Sequence, residues 1–407
     1  MKRQISPTLP SGGTNEYLYP VMSEQLDIHL AILPPFGPEG PPLGLACIAA
    51  ALRSAGYSVR AEDYNVRLFR KFEDQLAFLW QAEHKAAWVW ASRLQETIAM
   101  LGDAFDALAD ELVESGAPIL GFSVHSDNRA ATVELISRIR ERRPPVKIVA
   151  GGMGVFSADA RNVFPNGLVD LFVVGEGEHT VVEAVRALLA GQNPANVPGV
   201  ALPGRPLLER PVEKNQDLFA WPTFEDFDLR QYTTRNLPLI MSRGCTNACT
   251  MCNDRVLMGK FRRRTAKYVF TEIQHHVEKL DVHDFMIQDL QITQNLDEVL
   301  KMCRMIIDQG LEIHWNVNAT VSEKFNPEVL ETMHQAGCHT ITLGVESGSD
   351  HVLRLMNKGL DGESAANTMR AIKAAQITCW INLVIGFPGE NEEDRKETWL
   401  GSKKTPG

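Results

Sequence analysis

The feature that most restricts the fold of this 407-residue chain is a twice-repeated alternation of short apolar runs with amphipathic helical patterns. In the first series, residues 27–34, 58–64, 118–124, 146–150 and 171–174 read as strands, and 43–55, 129–142 and 179–189 as helices. Strands that each hand over to a helix pair in parallel, with helices covering both faces of the sheet. Such a doubly wound α/β sheet holds its ligands beyond the carboxyl ends of the strands. Here those ends carry Ser123, Gly151 with Gly152, and Gly175 with Gly177. In the second series the strands are 237–241, 284–288, 312–317, 340–345 and 378–385, and the helices 267–280, 296–309, 327–336 and 363–375. This repeat predicts a full or partial (β/α) barrel with its active site at the same ends of the strands.

The two series divide the chain into a tail (1–25), a first domain (26–192), a linker (193–236) and a second domain (237–407). Residues 67–114 interrupt the first domain with a helical pattern, in which Ile98, Leu101, Phe105, Leu108 and Leu112 alternate at spacings of three and four. Trp80, Trp88 and Trp90 lie in the same insertion, which is expected to pack its aromatic face on the sheet or to cap a substrate cavity. A net charge of −10 gives a nucleic-acid partner no general electrostatic support, and no apolar run is long enough for a membrane span. The opening residues lack the apolar core of a secretory signal, which points to the cytoplasm. Seven cysteines, three of them within eight residues, are not a disulfide framework.

Those three, Cys245, Cys249 and Cys252, follow the first strand of the second series in a CxxxCxxC pattern. Three thiolates on one loop can hold three irons of a 4Fe–4S cluster and leave the fourth iron open, as a catalytic centre requires. A zinc loop with its fourth ligand elsewhere is the alternative. Cys47, Cys303, Cys338 and Cys379 sit in apolar contexts and are expected to be buried and inert. Arg262, Arg263 and Arg264 read as a solvated basic turn before a helix capped by Thr265.

At the cysteine loop the chain resembles the radical S-adenosylmethionine (SAM) superfamily, and the resemblance extends from Leu237 to about Leu400. It implies that SAM chelates the open iron by its amine and carboxylate, and that an electron from the reduced cluster cleaves the sulfonium to a 5′-deoxyadenosyl radical. It also implies an external electron donor of flavodoxin or ferredoxin type. Met251 stands where the family usually has an aromatic residue. By resemblance, Gln288 and Asp289 face the SAM amino group, Glu346 and Ser347 meet its ribose or amine, and Gly386 lies where the adenine packs. Asn316 and Asn318 point into the barrel.

The first domain resembles the cobalamin-binding domain that precedes many radical SAM cores. The matching residues are Pro34, Pro35, Pro41 to Leu45, Gly121 to Ser123, Ala150 to Gly152 and Val174 to Glu178. The resemblance implies that Ser123, Gly151, Gly152, Gly175 and Gly177 let the backbone approach a corrinoid. The loop after the first strand lacks a ligand histidine, and His125 is the nearby substitute, with local hydrogen bonding the expected role. Together these resemblances imply radical methylation of an unactivated carbon in a small-molecule substrate. A radical cyclase or rearrangement enzyme is the alternative, and a non-catalytic corrinoid or redox sensor is a third reading. The family's core has six strands, so a barrel ending at its fifth is expected to be a truncated form of a longer protein, and a natural short end that frays over 401–407 is the alternative.

Overall fold

The computed structural model describes residues 25–202 and 205–404. The expected tail therefore lies, except for Gln25, outside the described residues. The first domain is built on β1 (Ile28–Ile32), β2 (Val59–Asp63), β3 (Ile119–Ser123), β4 (Lys147–Gly151), β5 (Leu171–Val173) and β6 (Val200–Ala201). They form one six-stranded sheet in the order β2-β1-β3-β4-β5-β6. The first five strands are parallel, and β6 closes the edge antiparallel to β5. Strands β1 and β5 are buried along their whole length, as befits a parallel sheet covered on both faces.

Two sequence expectations change here. The stretch 193–236 is more than a linker over the surface, because it supplies β6 and buries Phe219, Phe224, Phe227 and Tyr232. Short aromatic anchors spaced between prolines carry no helical or strand period, so the pattern could not reveal them. In the insertion, Trp80 and Trp88 are buried edge to face with ring centroids 5.5 Å apart, as expected, but Trp90 is 64% exposed.

The second domain begins with β7 (Leu237–Leu239) and the short pair β8 (Ser242–Arg243) and β9 (Arg262–Arg263). Then come β10 (Asp284–Ile287), β11 (His314–Ala319), β12 (Cys338–Glu346) and β13 (Thr378–Leu383). The five long strands make a parallel sheet in the order β13-β12-β11-β10-β7. Alternation sorts its faces. Phe285, Ile287, Trp315, Val317, Ile341 and Leu343 are buried on the convex side beneath the helices. On the concave side Pro238, Met286, Asn316 and Thr340 stand in register, as do Asn318, Thr342 and Trp380. Asn316 and Asn318 thus point inward as expected. The last described helix runs over Glu392–Lys404, so residues 401–404 are helical and not a frayed tail.

Among the described residues no helix is long and apolar enough to cross a membrane.

Candidate active site

The cysteine loop hangs from β8. Gly244, at φ +78, begins it, and a Cβ there would lie 2.4 Å from the Lys260 carbonyl oxygen, so only glycine fits. Two other segments then fix the loop, the end of the helix Asp350–Leu355 and the 3₁₀ turn Ile292–Asn295. Thr250 donates its amide to the Met356 carbonyl at 2.9 Å and its hydroxyl to the Leu355 carbonyl at 3.1 Å. Asn357 donates its side-chain amide to the Ala248 carbonyl at 2.9 Å. Thr246 donates its amide to Gln294 Oε1 at 3.2 Å.

Cys245 and Cys249 are half-buried and Cys252 is exposed, all as free thiols. Burial raises the Cys249 pKa, the Lys358 ammonium opposes this, and the neighbouring Cys252 and Cys245 raise it further. A Cys249 thiol whose ionisation is disfavoured by its two neighbours belongs to a donor set that a polycation would relieve. Among the described residues no three His, Cys, Asp or Glu side chains converge on a point that could hold one metal ion. In a four-iron cluster each corner iron takes a separate thiolate.

The other residues implied for the second domain divide by where they point. Gln288 is exposed at the end of β10 and lines the large cavity described below. Its neighbour Asp289 is buried and accepts hydrogen bonds from the Met241 and Ser242 amides at 2.8 and 2.9 Å and from the Ser242 hydroxyl at 2.5 Å. Asp289 thus ties β10 to the root of the cysteine loop, and burial lifts its pKa to about 6 against those bonds. Glu346 ends β12 at φ +75, an uncommon conformation for this residue, and accepts the Lys358 ammonium at 2.9 Å. Ser347 is fully buried and shares a hydrogen bond of 3.0 Å with the Thr398 hydroxyl, so its oxygen faces the last helix. Gly386, at φ +84, is in an exposed turn and donates its amide to Glu390 at 2.6 Å.

The basic run is not a solvated turn. Arg262 pairs with Glu176 at 2.5 Å and Arg264 with Glu272 at 2.9 Å, and both arginines are buried, whereas Arg263 is exposed. Their carboxylate partners lie far off in the chain or inside the next helix, where charge counting along the sequence does not find them. Arg243, on the other strand of the pair, bonds Glu178 and stands 3.6 Å from Glu176. Cys47, Cys303 and Cys338 are buried as expected, and burial pushes the first two thiols up to about 12. Cys379 is only partly buried.

One cavity of about 1210 Å³ joins the two domains. Its first wall includes Ser123, Gly151, Gly152, Gly175 and Gly177, and its second includes Ser242, Gly244, Met286, Gln288 and Trp380. The volume exceeds the roughly 300–1,000 Å³ of ordinary ligand sites. Gly44, which lines it, and Gly175 would each project a Cβ into open space, so glycines keep this cradle wide. His125 also lines it, with its ring 5.1 Å from that of Phe36. The imidazole makes no hydrogen bond to the described residues. The local bond expected of it is made by its backbone amide, to Asn128 at 2.7 Å. Burial lowers the His125 pKa, so the ring is neutral near pH 7.

Residues 239–399 match the model of the Radical SAM superfamily. The second series is therefore a radical SAM domain. An uncharacterized methyltransferase, PH0819, of Pyrococcus horikoshii is 25% identical over 391 residues, which cover 92% of this chain and 77% of the relative. The anaerobic magnesium-protoporphyrin IX monomethyl ester cyclase of Cereibacter sphaeroides is 26% identical over 246 residues, or 57% of this chain and 40% of the cyclase. Among solved structures, the radical SAM methyltransferase TsrM from Kitasatospora setae, with cobalamin and a [4Fe-4S] cluster bound, superposes with a TM-score of 0.71. It is 16% identical, with 93% of this chain and 73% of TsrM covered, which is a likeness of fold.

Proposed function

We propose that this chain is a cobalamin-dependent radical SAM enzyme that methylates an unactivated carbon of a small molecule. The observation that carries the reading is the shared cavity, which brings the glycine loops of the first domain up to the root of the cysteine loop. Cys245, Cys249 and Cys252 would hold a 4Fe–4S cluster, and Ser123, Gly151, Gly152, Gly175 and Gly177 would let a corrinoid lie on the sheet edge. When bound, the cluster supplies the electron that cleaves SAM, and the corrinoid supplies a transferable methyl group.

The chain's own residues then perform orientation and exclusion. Gln288 and Glu346, at the ends of β10 and β12 on either side of β11, offer polar groups to the amine and ribose of SAM. Asp289 holds the loop root rather than a ligand, and Ser347 and Gly386 shape the turns around it. Trp380 and Met286 give the second wall of the cavity an apolar surface that excludes water from a radical. Methyltransferases and cyclases both occur among the relatives, and the cavity's breadth suits a methyl carrier as well as a substrate.

The test is anaerobic reconstitution with iron, sulfide and cobalamin, followed by mass spectrometry with candidate substrates. A product heavier by one methyl group is expected, and loss of hydrogens would favour the cyclase reading. Cys245→Ala, Cys249→Ala and Cys252→Ala should each abolish SAM cleavage while leaving a folded chain. Retention of the cluster's absorption in the triple variant would remove the metal assignment.

A further inference from the structure

The three cysteines do not share one environment. Cys245 Sγ receives the Asn247 backbone amide at 3.4 Å, and the side-chain amides of Gln291 and Gln294 approach it at 4.0 and 3.9 Å. For Cys252 the one hydrogen bond among the described residues is from its own amide to the Cys249 carbonyl at 3.3 Å. The orientation of Gln294 is fixed by chemistry. The Thr246 amide can only donate, so it requires Gln294 Oε1, and this leaves Nε2, whose two hydrogens face the Thr246 hydroxyl and the Cys245 sulfur. Gln291 is 6% exposed, its Oε1 has no partner among the described residues, and its amide nitrogen faces Cys245. Just beyond β10, Gln291 precedes the short 3₁₀ turn Ile292–Asn295 as its N-cap and Gln294 lies within it.

We infer that Gln291 and Gln294 are positioning residues that set the reduction potential of the metal centre through N–H···S contacts to the Cys245 thiolate. The inference rests on the reading that the cysteines hold a four-iron cluster. Reduction adds negative charge that is shared with the ligand sulfurs, and donors on a sulfur stabilise the reduced form more than the oxidised one. Two carboxamides on one ligand therefore raise the potential and direct the charge to the Cys245 corner.

The experiment is a redox titration, followed by electron paramagnetic resonance, of the anaerobically reconstituted full chain and its Gln291→Leu, Gln294→Leu and double variants. Each single variant is expected to shift the midpoint to a more negative potential, and the double variant further still. Gln294→Glu should shift it further than Gln294→Leu, because a carboxylate replaces the donor, whereas Gln294→Asn should fall between wild type and Leu. Unchanged midpoints in variants that retain wild-type iron and sulfide content would overturn the inference. If buried Gln291→Leu fails to fold, the half-exposed Gln294 series decides alone. A wild-type chain that assembles no four-iron cluster would instead refute the underlying reading, so the two failures are distinguishable.

Discussion

Asp289 shows how one side chain can look like a ligand in sequence and act as a brace in structure. It ends a barrel strand next to Gln288, where a carboxylate facing SAM is expected, yet its two oxygens accept from Met241 and Ser242. Alternation along β10 explains the split, because adjacent residues face opposite sides. The consequence for substitution is definite. Asn can accept both amides with its oxygen and give its nitrogen to the Ser242 hydroxyl, so Asp289→Asn should fold with little loss. Asp289→Ala leaves two buried amides unpaired and should cost about 1–3 kcal/mol each in denaturant unfolding. The pH dependence follows from the direction of the shift. The folded pKa, about 6, exceeds the ordinary 3.8. The stability linked to this group is therefore fully present below the lower value and is lost as pH rises through the upper one. Asp289→Asn should flatten the stability profile across that interval, and an unchanged profile would remove the linkage.

Elements were more legible than side-chain partners. The alternation placed all five long strands of each series, and the helix Arg129–Arg142 coincides with its sequence pattern. Parallel strands and helices announce themselves by local period, which needs no knowledge of distant residues. Strand β6 and the β8–β9 pair, each strand two residues long, have too little period to read. Nor did any local signal give the contacts of Gln291, Gln294 and Lys358 with the cysteine loop, although glutamines recur every third position at 288, 291 and 294. The glycine loops make a testable distinction within one motif class. Gly152 has φ +104, and a Cβ would sit 2.6 Å from the Val124 carbonyl oxygen, whereas Gly175 has φ +85 with nothing within 4 Å. Gly175→Ala should therefore cost only backbone strain, on the order of 1 kcal/mol. Gly152→Ala should cost more, because the β3 end must move, and should weaken cobalamin binding in equilibrium titration more than Gly175→Ala does. Equal losses in both variants would show that the backbone conformation alone matters.

At the scale of the whole molecule, the two domains meet through charge as well as through the cavity. Arg243, one residue before Gly244, bonds Glu178 in the first domain, and Arg262 bonds Glu176 beside it. Both carboxylates lie at the start of the helix Gly177–Leu189, and the Phe219 ring sits 4.9 Å from the Arg243 guanidinium. This clamp connects a glycine loop of the shared cavity directly to the root of the cysteine loop. All four side chains are largely withdrawn from water, so removing one partner strands the other. Arg243→Met should cost about 3–5 kcal/mol, more than an exposed pair could. Glu178→Gln keeps an acceptor for Arg243 and removes only the charge, which isolates the electrostatic part. Burial alone would raise the Glu178 pKa, but the Arg243 charge and hydrogen bond outweigh it and hold the group below its ordinary 4.5. With a depressed folded pKa, the charge contributes stability above the ordinary value and loses it as pH falls through the folded one. The stability gap between wild type and Glu178→Gln should therefore be widest near neutrality and shrink as pH falls below the ordinary 4.5. Urea unfolding at a series of pH values reads it directly. A gap that stays constant would mean that shape rather than charge joins the domains.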